Sequence, residues 1–122
     1  MEKTRNTQCI KELMNLRDSF DALNGKWKLP VLQYLFNRQD ELNGFRKIAQ
    51  GIEGISDKML AKELRELEEN NLIQKLCCEV SHSSIRYQIS EHGKTTIPLI
   101  RTLVEWGRMH REVATNIIKK PS

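Results

Sequence analysis

The sequence has few of the features that mark secreted or membrane-spanning proteins. It contains three cysteines, Cys9, Cys77 and Cys78, an odd number with two of them adjacent. Such a set is a poor disulfide framework, so we expect reduced thiols in a reducing compartment. No apolar run approaches the roughly 20 residues that cross a bilayer, and the first residues, MEKTRNTQC, lack the apolar segment of a signal peptide. We therefore expect a cytoplasmic protein without a membrane partner.

The sequence also lacks the common signatures of catalysis. It has no glycine-rich loop of the kind that cradles phosphate, and its three histidines do not have the spacing of a zinc protease. No local context marks a catalytic set of serine, histidine and aspartate. We therefore expect no enzymatic activity, no catalytic residue and no cofactor. Cys77 and Cys78 would point to opposite faces of a strand, which disfavours a shared metal site, although a soft-metal site with His82 stays an alternative.

The chain nevertheless has enough apolar sequence for one modest core, since 39% of its 122 residues are hydrophobic and 30% are charged. It contains no internal repeat, low-complexity tract or interdomain linker, so residues 1–122 are predicted to form a single domain. The formal net charge of +4 favours an anionic partner, although many enzymes have a similar charge.

Hydrophobic spacing predicts helices in five segments. They are residues 8–23, 26–36, 45–50, 55–70 and a last region that Ser90 caps and that extends to about Ile118, with a kink expected at Pro98. The pair Asn24-Gly25 is predicted to end the first helix, and Pro30 to lie in the first turn of the second.

Between the fourth and fifth helical segments the period changes to that of strands. LIQKLCCEV at residues 72–80 and SIRYQIS at residues 84–90 alternate apolar and polar residues. We predict two antiparallel strands joined by a tip at residues 81–84. A short helix, a turn, a longer helix and a hairpin are the order of a winged helix-turn-helix, so the predicted class is mainly α with a β-hairpin wing.

The predicted helix over residues 55–70 separates its charges from its apolar residues. Leu60, Leu64 and Leu67 form a narrow stripe, and three cations lie on the opposite side, within about 60° of one another. Those cations are Lys58, Lys62 and Arg65. Ser56 precedes the helix and is predicted to cap it.

This charge pattern has two interpretations. The first is an ordinary solvated helix face with i,i+4 ion pairs. The second is a DNA-binding face, because the first turns of the second helix in a helix-turn-helix enter the major groove. The position of the cations in the N-terminal half therefore favours DNA. The residues of this helix predicted to face bases or phosphates are Ser56, Lys58, Met59, Lys62 and Arg65. Arg46 and Lys47, on the preceding short helix, are predicted to contact the flanking backbone.

Five blocks of sequence resemble the HxlR-type helix-turn-helix transcriptional regulators, winged-helix relatives of the MarR group. They are NGKWK at residues 24–28, FRKI at 45–48, EGIS with DKMLAKELRELEENNLI at 53–73, RYQISEHG at 86–93 and IPLIRTLVEWGRMH at 97–110. The wing departs most from the family pattern, because SHSSIRY at residues 81–87 lacks the prolines and the arginine common at its tip. Ser83, Ser84 and Arg86 are the donors available there for DNA.

The resemblance implies a dimeric DNA-binding regulator that is not an enzyme. We expect a repressor that binds a palindromic operator in double-stranded DNA as a homodimer, with a DNA-binding core over about residues 24–92 and dimerisation helices over about residues 8–23 and 91–118. The apolar surface of these helices, wider than one small domain can cover, favours the same interface. The residues predicted there are Leu13, Leu16, Phe20, Ile100, Leu103, Trp106 and Val113.

Two alternatives remain at the level of the sequence. Winged helices also serve as protein-interaction modules, which would need no DNA. Some members of the family also sense electrophiles or oxidants through a cysteine near the N-terminus, at a position that corresponds to about Met14 here. Cys9 lies earlier in the chain, and it is either a redox sensor for an oxidant or small-molecule effector or an ordinary thiol near the chain end.

Overall fold

The secondary-structure elements follow the predicted order. The computed structural model describes the backbone of residues 2–76 and 85–119, and the side chains of residues 6–76 and 85–116. The elements are α1 (Glu2–Leu23), α2 (Lys28–Asn37), α3 (Phe45–Gly51), α4 (Asp57–Glu69), β1 (Ile73–Leu76), β2 (Arg86–Ile89), α5 (Glu91–Lys94) and α6 (Ile97–Lys119). The predicted class, mainly α with a β-hairpin wing, is confirmed.

The first helix is longer than its apolar pattern predicted. The expected start was residue 8, whereas α1 begins at Glu2, because the polar segment 2–7 carries no apolar periodicity that could reveal a helix. The end of α1 at Leu23 agrees with the prediction. Gly25 has φ +94°, a backbone conformation that glycine adopts without steric cost, and the chain turns there into α2.

Helices α3 and α4 form the helix-turn-helix unit. The turn between them contains Gly54 at φ +89°, and the Oγ atom of Ser56 accepts a hydrogen bond of 3.1 Å from the Met59 N–H. This cap satisfies one of the free N–H groups of α4 and places the helix start close to the prediction. The leucine stripe faces inward as expected, because Leu60, Leu64 and Leu67 are all buried.

The hairpin closes the core at the end of α4. β1 and β2 pair antiparallel, with Ile73 opposite Ile89 and Leu76 opposite Arg86. Ile73 and Ile89 are buried in the core. The Tyr87 N–H donates a 2.9 Å hydrogen bond to the Asn43 carbonyl, so the loop before α3 lies along the other edge of β2. The predicted tip at residues 81–84, with Cys77, Cys78 and His82, lies outside the described residues.

The predicted kink at Pro98 is wrong. The helical region is instead divided at Thr95 and Thr96, between α5 and α6, and Pro98 lies in the first turn of α6. A proline ring clashes with the carbonyl four residues earlier, which here belongs to Lys94, the last residue of α5. The break therefore comes before the proline, where its missing N–H removes no helical hydrogen bond. Ser90 caps α5 as predicted, since its Oγ atom accepts a 2.8 Å hydrogen bond from the Gly93 N–H.

The core lies between α2, α4, the hairpin and the start of α6. Its buried members include Val31, Leu32, Leu35, Ile48, Leu60, Leu67, Ile73, Ile89, Ile97 and Ile100. Ile100 was predicted to lie at a dimer interface, but it is 4% exposed in the single chain and packs in the core. The apolar pattern of α6 continues past its own core contacts, and the pattern alone does not tell where those contacts end.

Large apolar side chains remain exposed on α1 and on the rest of α6. On α1 they are Ile10, Leu13, Met14, Leu16 and Phe20, and on α6 they are Leu99, Leu103, Val104, Trp106, Met109 and Val113. On α6, Leu99, Leu103, Trp106 and Val113 recur at helical spacing, so they form a stripe along one face and are not scattered singly. Among the described residues, no helix combines the length and the apolar content that crossing a membrane requires.

Candidate DNA-binding surface

The outward face of α4 brings together all five residues that were predicted to contact DNA from this helix. Ser56, Lys58, Met59, Lys62 and Arg65 line, with Ala61, one open depression of about 490 Å³. The three cations are exposed on the side away from the leucine stripe. The cap at Ser56 fixes where the helix starts, and the buried leucines fix which side faces out.

The cations of α4 are only weakly neutralised by other described residues. Lys62 Nζ lies 4.0 Å from Glu66 Oε2, at the limit of an ion pair. Within the part of the chain that the structure describes, Lys58 and Arg65 make no ion pair at all. Lys58 and Lys62 are four residues apart on one helix face, where like charges repel. The face therefore presents a concentrated positive charge to a partner.

Arg46 and Lys47, by contrast, are paired with acids on neighbouring segments. Arg46 Nη1 lies 3.2 and 3.3 Å from the Asp57 carboxylate oxygens, and Lys47 Nζ lies 2.5 Å from Glu41 Oε1. The hydrogen bond from Lys47 lowers the pKa of Glu41 below its ordinary value. To contact phosphate, Arg46 would have to release Asp57 and Lys47 would have to release Glu41.

The base of the wing adds Arg86 to this group. Leu42, Phe45, Ile85 and Arg86 line, with the start of α3, a second depression of about 470 Å³ that also includes Arg46 and Lys47. The structure therefore brings three of the predicted DNA contacts together beside the wing. The other two wing residues, Ser83 and Ser84, lie outside the described residues.

A third cleft contains two residues that sequence reasoning missed. Lys75 and Tyr87, which face each other across the hairpin, line with Arg65 and Glu68 a cleft of about 230 Å³ between α4 and the wing. Lys75 is exposed, so its ammonium can reach an anion bound beside Arg65. A lysine on the strand directly after α4, the helix predicted to enter the major groove, was the signal that could have identified Lys75.

A buried lysine behind α4 was also missed. Lys28, the first residue of α2, is 2% exposed, and its Nζ atom lies 3.2 Å from Glu63 Oε2 and 3.0 Å from Glu66 Oε1. Burial lowers the pKa of Lys28, but the hydrogen bonds to Glu66 and Glu63 outweigh burial, and the pKa lies above its ordinary value. The same hydrogen bond lowers the pKa of Glu66. Lys28 and Glu66 are therefore both charged near neutral pH.

The candidate residues outside the DNA-facing side lie on the two long helices. Cys9 is exposed on α1 and has no disulfide partner among the described residues. Of the residues predicted at a dimer interface, Leu13, Leu16 and Phe20 are exposed on α1, and Leu103, Trp106 and Val113 are exposed on α6. Trp106 stacks on His110 with ring centroids 4.8 Å apart.

Comparison with known proteins agrees with this geometry. A model of the HxlR-like helix-turn-helix family matches residues 22–115. The chain is 29% identical over 116 residues to YybR, an HTH-type transcriptional regulator of Bacillus subtilis, and the match covers 93% of this chain and 88% of that protein. It is 34% identical over 98 residues to an HTH-type transcriptional regulator of Methanothermobacter thermautotrophicus, with 80% and 72% of the two chains covered.

The solved structure of the redox regulator HypR in its reduced form has the same fold. The TM-score is 0.72, and the alignment covers 84% of this chain and 98% of that chain at 24% sequence identity. The order of α3, α4 and the hairpin, the cationic face of α4 and the family match over residues 22–115 all indicate the same kind of protein. The chain belongs to the HxlR-like helix-turn-helix family and has the winged helix-turn-helix fold of a transcriptional regulator.

Proposed function

We propose that this regulator acts in the cytoplasm as a homodimeric repressor that binds a palindromic operator with α4 in the major groove. The observation that carries the proposal is the face of α4, on which Lys58, Lys62 and Arg65 converge with Ser56 and Met59 in one depression. The first turns of the second helix in a helix-turn-helix contact base edges. Cations left without strong protein partners there are available to bases and phosphates.

Each cation has a distinct role in this proposal. Lys62, one turn past the helix start, reads a base edge in the middle of the groove, whereas Arg65, beside the wing, binds a phosphate. Lys58 and Met59 contact the bases or phosphates that lie nearest to the start of α4. Ser56 and the free N–H groups at the start of α4 hold a further phosphate.

The flanking contacts come from α3 and the wing. Arg46 and Lys47 contact the DNA backbone once phosphate replaces their acidic partners. Arg86, Ser83 and Ser84 contact the DNA backbone beside the wing. Lys75 joins these phosphate contacts, because it lines the same cleft as Arg65. Phosphate contacts of this kind set the register of the protein on DNA and carry no direct sequence information.

Dimerisation is supported by the exposed apolar faces of α1 and α6. A second copy, related by a two-fold axis, would bury the same residues on both subunits. Leu13, Leu16 and Phe20 on α1 and Leu103, Trp106 and Val113 on α6 are the proposed contacts. Two α4 helices related in this way match the two half-sites of a palindromic operator.

An electrophoretic shift with DNA from upstream of the protein's own gene tests the proposal. With one phosphate each for Arg46, Lys47, Arg65, Lys75 and Arg86, the dimer makes about ten phosphate contacts, and affinity should fall about 10⁵-fold between roughly 50 and 200 mM salt. Lys58→Ala should weaken binding. Lys11→Ala is the matched control, because Lys11 is an exposed helical lysine on α1 without an ion pair to another described residue.

Binding that varies little with salt, and that is equal for both alanine variants, would instead favour a winged-helix module that recruits another protein. The repressor role is tested separately, with a reporter gene downstream of the bound DNA. Expression should rise when the regulator is removed, and a fall in expression would contradict repression.

A further inference from the structure

We propose that Lys28 is a positioning residue for the recognition helix. Its buried ion pairs with Glu63 and Glu66 fix the rotation of α4 about its own axis and thereby set how well the protein distinguishes its operator from other DNA. This inference rests on the proposed function, in which the outward face of α4 reads base edges.

The geometry joins two helices across the core. Lys28 begins α2, whereas Glu63 and Glu66 lie on successive turns of α4. The ammonium lies 3.2 and 3.4 Å from the two oxygens of Glu63 and 3.0 Å from Glu66 Oε1. One donor group thus holds α4 at two points on one side of its leucine stripe. Lys28 and Glu63 are almost completely buried, so few water molecules can substitute for either partner.

Stability alone is a poor explanation for this arrangement. Removing two charges from water costs free energy that their attraction does not reliably recover, and apolar residues of similar size often stabilise a protein equally well. Leu60, Leu64 and Leu67 already anchor α4 through apolar contacts. Apolar contact is non-directional, whereas hydrogen bonds weaken steeply with distance and angle, so the ion pairs restrict the rotation that the leucines tolerate.

Small rotations of α4 matter on the opposite face. With side chains at about 5–6 Å from the helix axis, a rotation of about 20° moves a cation by roughly 2 Å, which is enough to break a hydrogen bond to a base. Glu66 also connects the buried and exposed faces directly. Its Oε1 atom binds Lys28 and its Oε2 atom lies 4.0 Å from Lys62, the proposed base reader.

The test separates positioning from stability with the double variant Lys28→Met/Glu63→Met. This variant replaces the buried ion pair with apolar side chains of similar length and leaves no buried charge unpaired, so it should melt close to the wild type. The measured quantity is the ratio of affinities for the operator and for a scrambled duplex of equal length. We expect this ratio to fall about tenfold, less than the loss of both Lys62 contacts, because the base contact of each subunit is misplaced but not removed. The salt slope should not change.

Val31→Ala is the matched control. Val31 is fully buried one turn after Lys28 on α2, and its apolar side chain cannot pair with Lys28, Glu63 or Glu66. This variant should therefore lower the melting temperature without changing the affinity ratio. A fall in the ratio that simply follows the melting temperature across both variants would overturn the proposal. So would a double variant that keeps the wild-type ratio.

Glu66→Gln decides the question if the double variant does not fold. Glu66 is partly exposed, so this change should cost less stability than a change at the buried pair, and it removes one of the two anions that hold Lys28. A smaller fall in the affinity ratio supports the proposal, and an unchanged ratio contradicts it. Wild-type protein that shows no preference for its operator would refute the proposed function itself, which is a different result from a wild-type ratio in the variants.

Discussion

Replacing Lys62 with alanine should separate DNA binding from folding. The Lys62 side chain is 54% exposed, and its one described ion pair, with Glu66, spans 4.0 Å. An exposed i,i+4 pair contributes about 0.3–0.5 kcal/mol, so the free energy of unfolding should change by about 0.5 kcal/mol or less. Alanine also has the highest helix propensity, which offsets part of the loss.

The effect on operator binding should be much larger. A good contact between a side chain and a base discriminates by about 1–3 kcal/mol, and a homodimer contains two copies of Lys62. If the two half-sites contribute additively, the loss is about 2–6 kcal/mol, or about 30-fold to 10⁴-fold in Kd. Affinity for a scrambled duplex should change much less, because only phosphate contacts act there.

Arg65→Ala provides the comparison that distinguishes the two roles. Removing one phosphate-binding side chain from each subunit should weaken binding to all sequences similarly and reduce the slope of log K against log salt by about 1.8. Melting curves and titrations of both duplexes at several salt concentrations measure these effects. A Lys62→Ala protein that melts normally and keeps the wild-type affinity and specificity would show that the cationic face is only solvated surface.

Four further predictions concern the cap, the dimer, the buried charges and the thiol. Ser56→Ala should lower the free energy of unfolding by about 0.5–2 kcal/mol in a denaturant titration, because alanine cannot cap α4. Phe20→Asp should shift sedimentation from dimer to monomer at micromolar concentration by placing a charge in the apolar face, and a monomeric wild type would refute the interface. Lys28 lowers the pKa of Glu66 below 4.5 in the folded protein, so the stability that Glu66 adds over Glu66→Gln should be present above about pH 4.5 and disappear as the pH falls below it. Any effect of the thiol oxidant diamide on operator affinity should be absent in Cys9→Ser. An equal response in the wild type and this variant would exclude Cys9 as the redox sensor.

The recognition helix was predictable because its signals are local. The cap at Ser56 and the stripe of Leu60, Leu64 and Leu67 lie within four turns, and α4 ends within one residue of the predicted boundary. The outward position of Lys58, Lys62 and Arg65 follows from the same helical period. Local capping and periodicity together therefore determine which residues this helix offers to a partner.

The features that sequence reasoning missed depend on contacts between distant segments. Lys28 and Glu63 are 35 residues apart, and nothing in the spacing of either one shows that they meet. A lysine directly before the largely apolar segment LPVLQYLF and an acid beside the leucine stripe were the only signs. Ile100 shows the same limit, because helical period identifies an apolar side chain but not whether its own core or another copy covers it.

The distribution of ion pairs gives the strongest physical reason to prefer DNA over a solvated face. On α3, Arg46 and Lys47 each have an acidic partner, and behind α4 the buried Lys28 has two. On the outward face, Lys58 and Arg65 have none among the described residues, and Lys58 repels Lys62 at a cost of a few tenths of a kcal/mol. If the face were only solvated, an acid in place of Lys58 would remove the repulsion with Lys62 and raise the stability of the protein. A face that neutralises phosphates would lose affinity through the same acid, because each paired cation displaces one counterion fewer from DNA.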